Sequence, residues 1–66
     1  MANMTEFADN LRRLRREKKI TQAEASERAG VPQPLWSLYE RGLRSPSIQQ
    51  AERLAQAIGV ALKKLV

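Results

Sequence analysis

Cysteine and histidine are both missing from the 66 residues, and the two absences close most routes to chemistry. Without thiols there is neither a disulfide nor a thiolate metal site. Without imidazole, a transition-metal centre or histidine-based acid–base catalysis has almost nothing to work with. No metal and no cofactor is expected, and no phosphate-cradling glycine loop arranges the serines and acids for catalysis, so an enzyme is the remotest reading. Aromatics are scarce: Phe7, Trp36 and Tyr39 are the whole set, and all three are expected mainly in the core, not as an interleaved base-stacking platform. Long apolar runs are lacking, so no segment can span a bilayer, and the first residues have no apolar core of a signal peptide. A soluble cytoplasmic protein is expected, with no membrane partner.

What the chain does have is positive charge. Twelve Lys and Arg against seven Asp and Glu give +5, with a pI near 10.5, a balance typical of domains that meet polyanions. A well-solvated surface has the same composition, so charge alone does not choose. At this length residues 1–66 make one domain, which buries only about 60% of the surface its unfolded chain exposes. Its stability is expected to be marginal, and a partner can contribute to it.

Along the chain the signals are helical. Thr5, Glu6 and then Phe7, Leu11 and Leu14 supply an N-cap, a first-turn acid and an apolar stripe. They predict a first helix to about Lys18 or Lys19, after frayed residues 1–4. Glu6 and Asp9 lie at its positive end, and Arg15, Arg16, Lys18 and Lys19 at its negative end. Ile20 precedes Thr21, and Thr21 with Glu24 has capping-box spacing, so a second helix runs to Ala29 and stops at Gly30. Gly30-Val31-Pro32 can turn tightly into a third helix that opens near Gln33, accepts Pro34 in its first turn and ends at Gly42. After a connector at 43–46, Ser47 and Gln50 repeat the capping-box spacing. The fourth helix is expected to bury Ile48, Ala51, Leu54, Ala55 and Ile58 and to end at Gly59, before a last short helix from Ala61 to about Leu65. The architecture is thus an all-α globule of five helices. Its second and third helices, joined by a glycine-led turn, outline a helix-turn-helix, which sets its second helix into the DNA major groove.

Leu11, Leu14 and Arg15, Thr21-Gln22, Gly30-Val31, Glu40-Arg41-Gly42, Pro46-Ser47, Leu54-Ala55 and Ile58-Gly59-Val60 form an ordered set spread over nearly the whole chain. In that order and spacing they resemble the Cro/C1 (Xre-type) helix-turn-helix family of phage repressors and bacterial transcriptional regulators. The resemblance implies a lambda-repressor-like fold, with double-stranded DNA as partner and a location at the nucleoid. It also implies roles. Arg15 borders the buried face of the first helix, where an unpaired charge is costly, and the family pairs its equivalent with a glutamate matching Glu40. Gln22, first in the second helix, matches a glutamine that holds phosphate, an ordinary exposed glutamine being the plainer alternative. Gln33 matches a position that reads base edges, and glutamine can bond adenine N6 and N7 together. Pro34, Ser37 and Leu38 share or adjoin its outward face. Arg41, Arg44 and Ser45 match a loop that grips the DNA backbone, a solvated surface being the plainer alternative, whereas Arg12, Arg13 and Arg16 are expected to face solvent, with a flanking phosphate within reach of Arg13 or Arg16 as the alternative.

The chain departs from the family at several places. Pro32 replaces the usual serine cap, and Pro34, Leu35 and Leu38 stand where polar residues are usual. They can touch a thymine methyl but cannot read a hydrogen-bond pattern, so phosphate contacts and DNA shape should carry a larger share. Trp36 is bulky where isoleucine is usual, and Ala25 stands in place of a leucine in the second helix, leaving volume that Trp36 can fill. Ser26 replaces an alanine at the close contact of the two helices, and its hydroxyl is expected to bond back to the Gln22 carbonyl.

Two readings of function follow. In the first, the chain is a sequence-preferring, repressor-like DNA-binding regulator acting as a homodimer on a pseudo-palindromic site, with residues 33–41 as recognition helix. Dimerisation is expected through Leu62, Leu65 and Val66, with Val60 a further candidate. An end on leucine and valine also fits a fragment of a longer regulator. In the second, the apolar face of Pro34, Leu35, Leu38 and Leu43 binds protein, as in an antitoxin, with DNA secondary or lost.

Overall fold

The computed structural model describes residues 4–66, in the order α1 (Met4–Glu17), α2 (Gln22–Ala29), α3 (Gln33–Glu40), α4 (Ile48–Ala57) and a single 3-10 turn at Leu62–Lys64. Among the described residues there are four α-helices, not five, because the last element never develops beyond one 3-10 turn. The fraying expected of residues 1–3 lies outside the described residues. Met4 is already helical, which puts Thr5 in the second helical position and not at an N-cap.

Helix α1 forms on its apolar stripe: Phe7 and Leu11 are buried and Leu14 is packed against the core. It ends at Glu17, earlier than its basic run suggested, because Lys19 takes a left-handed φ of 58°. That conformation is uncommon for a residue with a Cβ. The Arg15 guanidinium stabilises the turn by donating through Nη1 to the Ile20 carbonyl at 2.8 Å.

The start of α2 follows local chemistry. Thr21 Oγ1 accepts from the Glu24 N–H at 3.1 Å while Glu24 Oε1 accepts from the Thr21 N–H at 3.0 Å, a reciprocal pair that satisfies two otherwise orphaned donors. Gly30 then closes the helix at φ 74°, a left-handed conformation that costs glycine nothing. The Ser26 hydroxyl bonds back to the Ala23 carbonyl at 3.0 Å, three residues away, and not to Gln22. Pro32 caps α3 without a side-chain bond, so the first turn of α3 depends on Pro34 and on tertiary packing.

At α4 the expected box is only half made. Ser47 Oγ accepts from the Gln50 N–H at 3.1 Å, but the Gln50 side chain accepts from the Tyr39 hydroxyl at 2.8 Å and so ties α4 to α3. Ile48, expected in the core, is 75% exposed: it shares the apolar face of α4 by spacing, but it occupies the first turn, which the described residues leave open. Ala57 is buried instead.

Helix α2 packs on both α3 and α4, α1 lies against α3, and the 3-10 turn packs on α4. Trp36, Tyr39, Leu11, Leu54, Ile58 and Leu65 are the largest fully buried side chains. Leu65 was expected on a dimer surface, but it is 0% exposed inside the core of its own chain. Asn10 Nδ2 holds that end by donating to the Leu65 carbonyl at 3.2 Å.

Candidate nucleic-acid interface

The end of α3 is organised around one carboxylate. Glu40 is 2% exposed, and four donor contacts saturate it. Arg15 Nε reaches Oε2 at 2.5 Å and Nη2 reaches Oε1 at 3.1 Å. Gln22 Nε2 reaches Oε1 at 3.0 Å, and the Trp36 indole Nε1 reaches Oε2 at 2.5 Å. Burial pushes the Glu40 carboxyl up, but the bonds from Arg15, Gln22 and Trp36 and the Arg15 charge outweigh it and hold the group below its ordinary value. No buried side-chain polar atom among the described residues is left without a partner.

This cluster joins three elements. It locks α1 to the last residue of α3 and draws the first residue of α2 to the same place. Gln22 therefore stands beside the end of α3, half-buried, with one amide N–H turned inward to Glu40. What remains outward is its second N–H and its carbonyl oxygen. Arg12, expected in solvent, is half-buried: Nη1 approaches the Glu40 carbonyl at 3.5 Å, and Nη2 pairs with Asp9 at 3.0 Å. Arg13 pairs with Glu17 at 3.3 Å on the exposed side of α1, and Arg16 is exposed.

The outer side of α3 is open. Gln33 and Pro34 are exposed, and Ser37 and Leu38 are half-buried along the same helix. Arg41, Arg44 and Ser45 follow on the loop, all exposed. An α-helix with its side chains is about 10–12 Å across, so the open face of α3 can enter a major groove about 12 Å wide. Of the four residues in the expected apolar patch, Leu35 is half-buried and packed against the core, while Leu43 is 65% exposed. The apolar surface is therefore smaller than the sequence suggested.

Two of the donors on Glu40 were not foreseen. Trp36 and Glu40 are four residues apart on one helix, a spacing at which side chains meet, so an indole N–H needing an acceptor was a usable signal. The Gln22 contact crosses between helices and had no comparable signal. Among the described residues no group of three or more metal-ligating side chains occurs, and no helix is long and apolar enough to cross a membrane.

A helix-turn-helix domain family model matches residues 6–65. The chain is similar to the uncharacterized HTH-type transcriptional regulator y4dJ of Sinorhizobium fredii, with 47% identity over 57 residues, 86% of this chain and 74% of that one. It is also similar to the cryptic phage CTXphi transcriptional repressor RstR of Vibrio cholerae, with 35% identity over 60 residues. The match takes in 91% of this chain but 54% of the repressor, so the chain spans about half of that relative's length. In three dimensions it resembles the restriction-modification controller protein C.AhdI from Aeromonas hydrophila. The TM-score is 0.91 at 27% identity, over 96% of each chain. With the turn, the two helices and nearly the full length all matched, the chain belongs to the Xre-like helix-turn-helix domain family of DNA-binding transcriptional regulators.

Proposed function

We propose that the chain docks on double-stranded DNA with α3 in the major groove and represses transcription from a pseudo-palindromic site, bound as a homodimer. The observation that carries this reading is the open outer face of α3, with Gln22 beside its far end and Arg41 and Arg44 on the loop that follows. Gln33 is the base reader, capable of bidentate bonding to adenine, and Pro34, Ser37 and Leu38 supply van der Waals contact and shape. Gln22, Arg41, Arg44 and Ser45 donate to phosphate, the first through the amide N–H that Glu40 leaves free. With one strong hydrogen-bonding reader, the discrimination per half-site is modest, and two half-sites about one helical turn apart supply the missing affinity.

The dimer contact assigned here is the carboxyl end without Leu65: Val66, 62% exposed, together with the half-buried Leu62 and Val60. That two relatives are a transcriptional regulator and a repressor supports the same reading, and its place of action is the nucleoid in the cytoplasm. Selection of bound sites from a random duplex library tests it. An enriched palindrome with a fixed half-site spacing is the expected result, and failure to enrich any sequence overturns it.

A further inference from the structure

A groove of about 760 Å³ opens where the carboxyl-terminal ends of α1, α2 and α4 come together. No residue of α3 or of the loop carrying Arg41 and Arg44 lines it. Its polar lining includes three cations, Lys18, Arg28 and Arg53, and among the described residues it has no acid at all. None of the three cations is in an ion pair of the described residues. Glu24, one turn before Arg28, feels that cation through space, but it makes no ion pair with it, because its carboxylate accepts from the Thr21 N–H and hydroxyl at 3.0 and 3.1 Å. Lys18 does not simply trail into solvent, since a Cβ placed on Gly59 would stand 4.0 Å from its Nζ, which sets the ammonium against the groove wall.

Three cations around one concavity repel one another, and the Glu24 carboxylate near Arg28 and the partial negative charge of nearby helix ends offset some of that repulsion. An anion held between them removes it. Two arginines offer planar forks suited to phosphoryl oxygens, and the lysine adds a point charge. Half-buried Ile20 gives the groove an apolar patch, and its volume falls within the range of about 300–1,000 Å³ usual for small-molecule sites. A bare phosphate would leave most of that space to water. We propose that this groove is a binding site for a phosphorylated small molecule of nucleotide size. Its phosphates would lie among Lys18, Arg28 and Arg53 and its uncharged body over Ile20.

The test is a titration of the nitrogen-15-labelled chain with ATP, inorganic pyrophosphate and uncharged adenosine at constant ionic strength, read from backbone amide shifts. Saturable movement of the Gly30 and Gly59 amides with ATP is expected, weaker with pyrophosphate and absent with adenosine. Arg28→Gln and Arg53→Gln should each raise the dissociation constant roughly tenfold, the worth of one charge-assisted hydrogen bond. Both side chains are exposed, so an otherwise unchanged spectrum verifies the fold, and Lys18→Gln serves as a third variant. The proposal is overturned by shifts confined to Gln22, Arg41 and Arg44, by a drift that never saturates, or by binding indifferent to all three substitutions. It is equally overturned if an oligoglutamate peptide moves Gly30 and Gly59 while ATP does not, which would assign the groove to an acidic protein segment.

Discussion

Arg15 and Glu40 meet in the interior through two bonds, Nε to Oε2 at 2.5 Å and Nη2 to Oε1 at 3.1 Å, and so fasten α1 to the last residue of α3. Truncating one partner leaves the other charge buried and unmatched. Glu40→Ala should therefore cost about 3–5 kcal/mol, a large share of the stability of a domain this small. Urea denaturation followed by Trp36 fluorescence measures it. A loss below about 1 kcal/mol would show that the pair behaves as a solvated surface contact.

The same carboxyl group sets an acid limit. Burial works against its ionisation, but the donors from Arg15, Gln22 and Trp36 prevail and depress its folded pKa below the ordinary 4.5. Its contribution is thus fully present above the unfolded value and disappears as pH falls through the lower folded value. Stability should hold nearly level from neutrality to about pH 5 and then decline below about 4.5. Glu24, lowered by its bonds from the Thr21 backbone and side chain, acts in the same direction. In Glu40→Gln the acid decline should be visibly shallower than in the parent. Parallel pH profiles would remove Glu40 from the account.

Ala25 and Trp36 are both 0% exposed on helices that pack together, which fits a small residue making room for a large one. Ala25→Leu should overpack this contact and cost about 1–3 kcal/mol. Adding Trp36→Ile should recover part of that loss, less the indole bond to Glu40. Thermal unfolding of the single and double variants decides it, and a neutral or stabilising Ala25→Leu would show that the two residues do not share the volume.

Features set by near neighbours were legible from the sequence. Thr21 and Glu24 marked the start of α2 because both halves of the capping box lie within one turn, and Gly30 marked its end because only the local φ matters there. Features decided by what lies across the fold were not. The helical period of α4 selects a face that includes Ile48, but the period says nothing about how far the neighbouring elements extend, and they stop short of the first turn. Gln50 had the spacing to return to Ser47, but the Tyr39 hydroxyl, eleven residues back in the chain, took its oxygen instead. Leu65 looked like a terminal residue awaiting a partner. A 3-10 turn folds it inward, and the Asn10 bond to its carbonyl spans 55 positions that no local pattern encodes. In the candidate interface, the exposed Gln33, Arg41 and Arg44 were placed by family likeness, whereas the inward turn of Gln22 depended on a carboxylate eighteen residues away.

Anisotropy of a labelled duplex across a salt series, comparing the parent chain with Arg41→Ala and Arg44→Ala, shows whether DNA rests on α3 and the loop after it. The logarithm of the binding constant should fall linearly with the logarithm of salt, by about 0.9 for each phosphate contacted, and each substitution should lower the steepness by about one. No binding at low salt, or a slope that neither substitution changes, would contradict it.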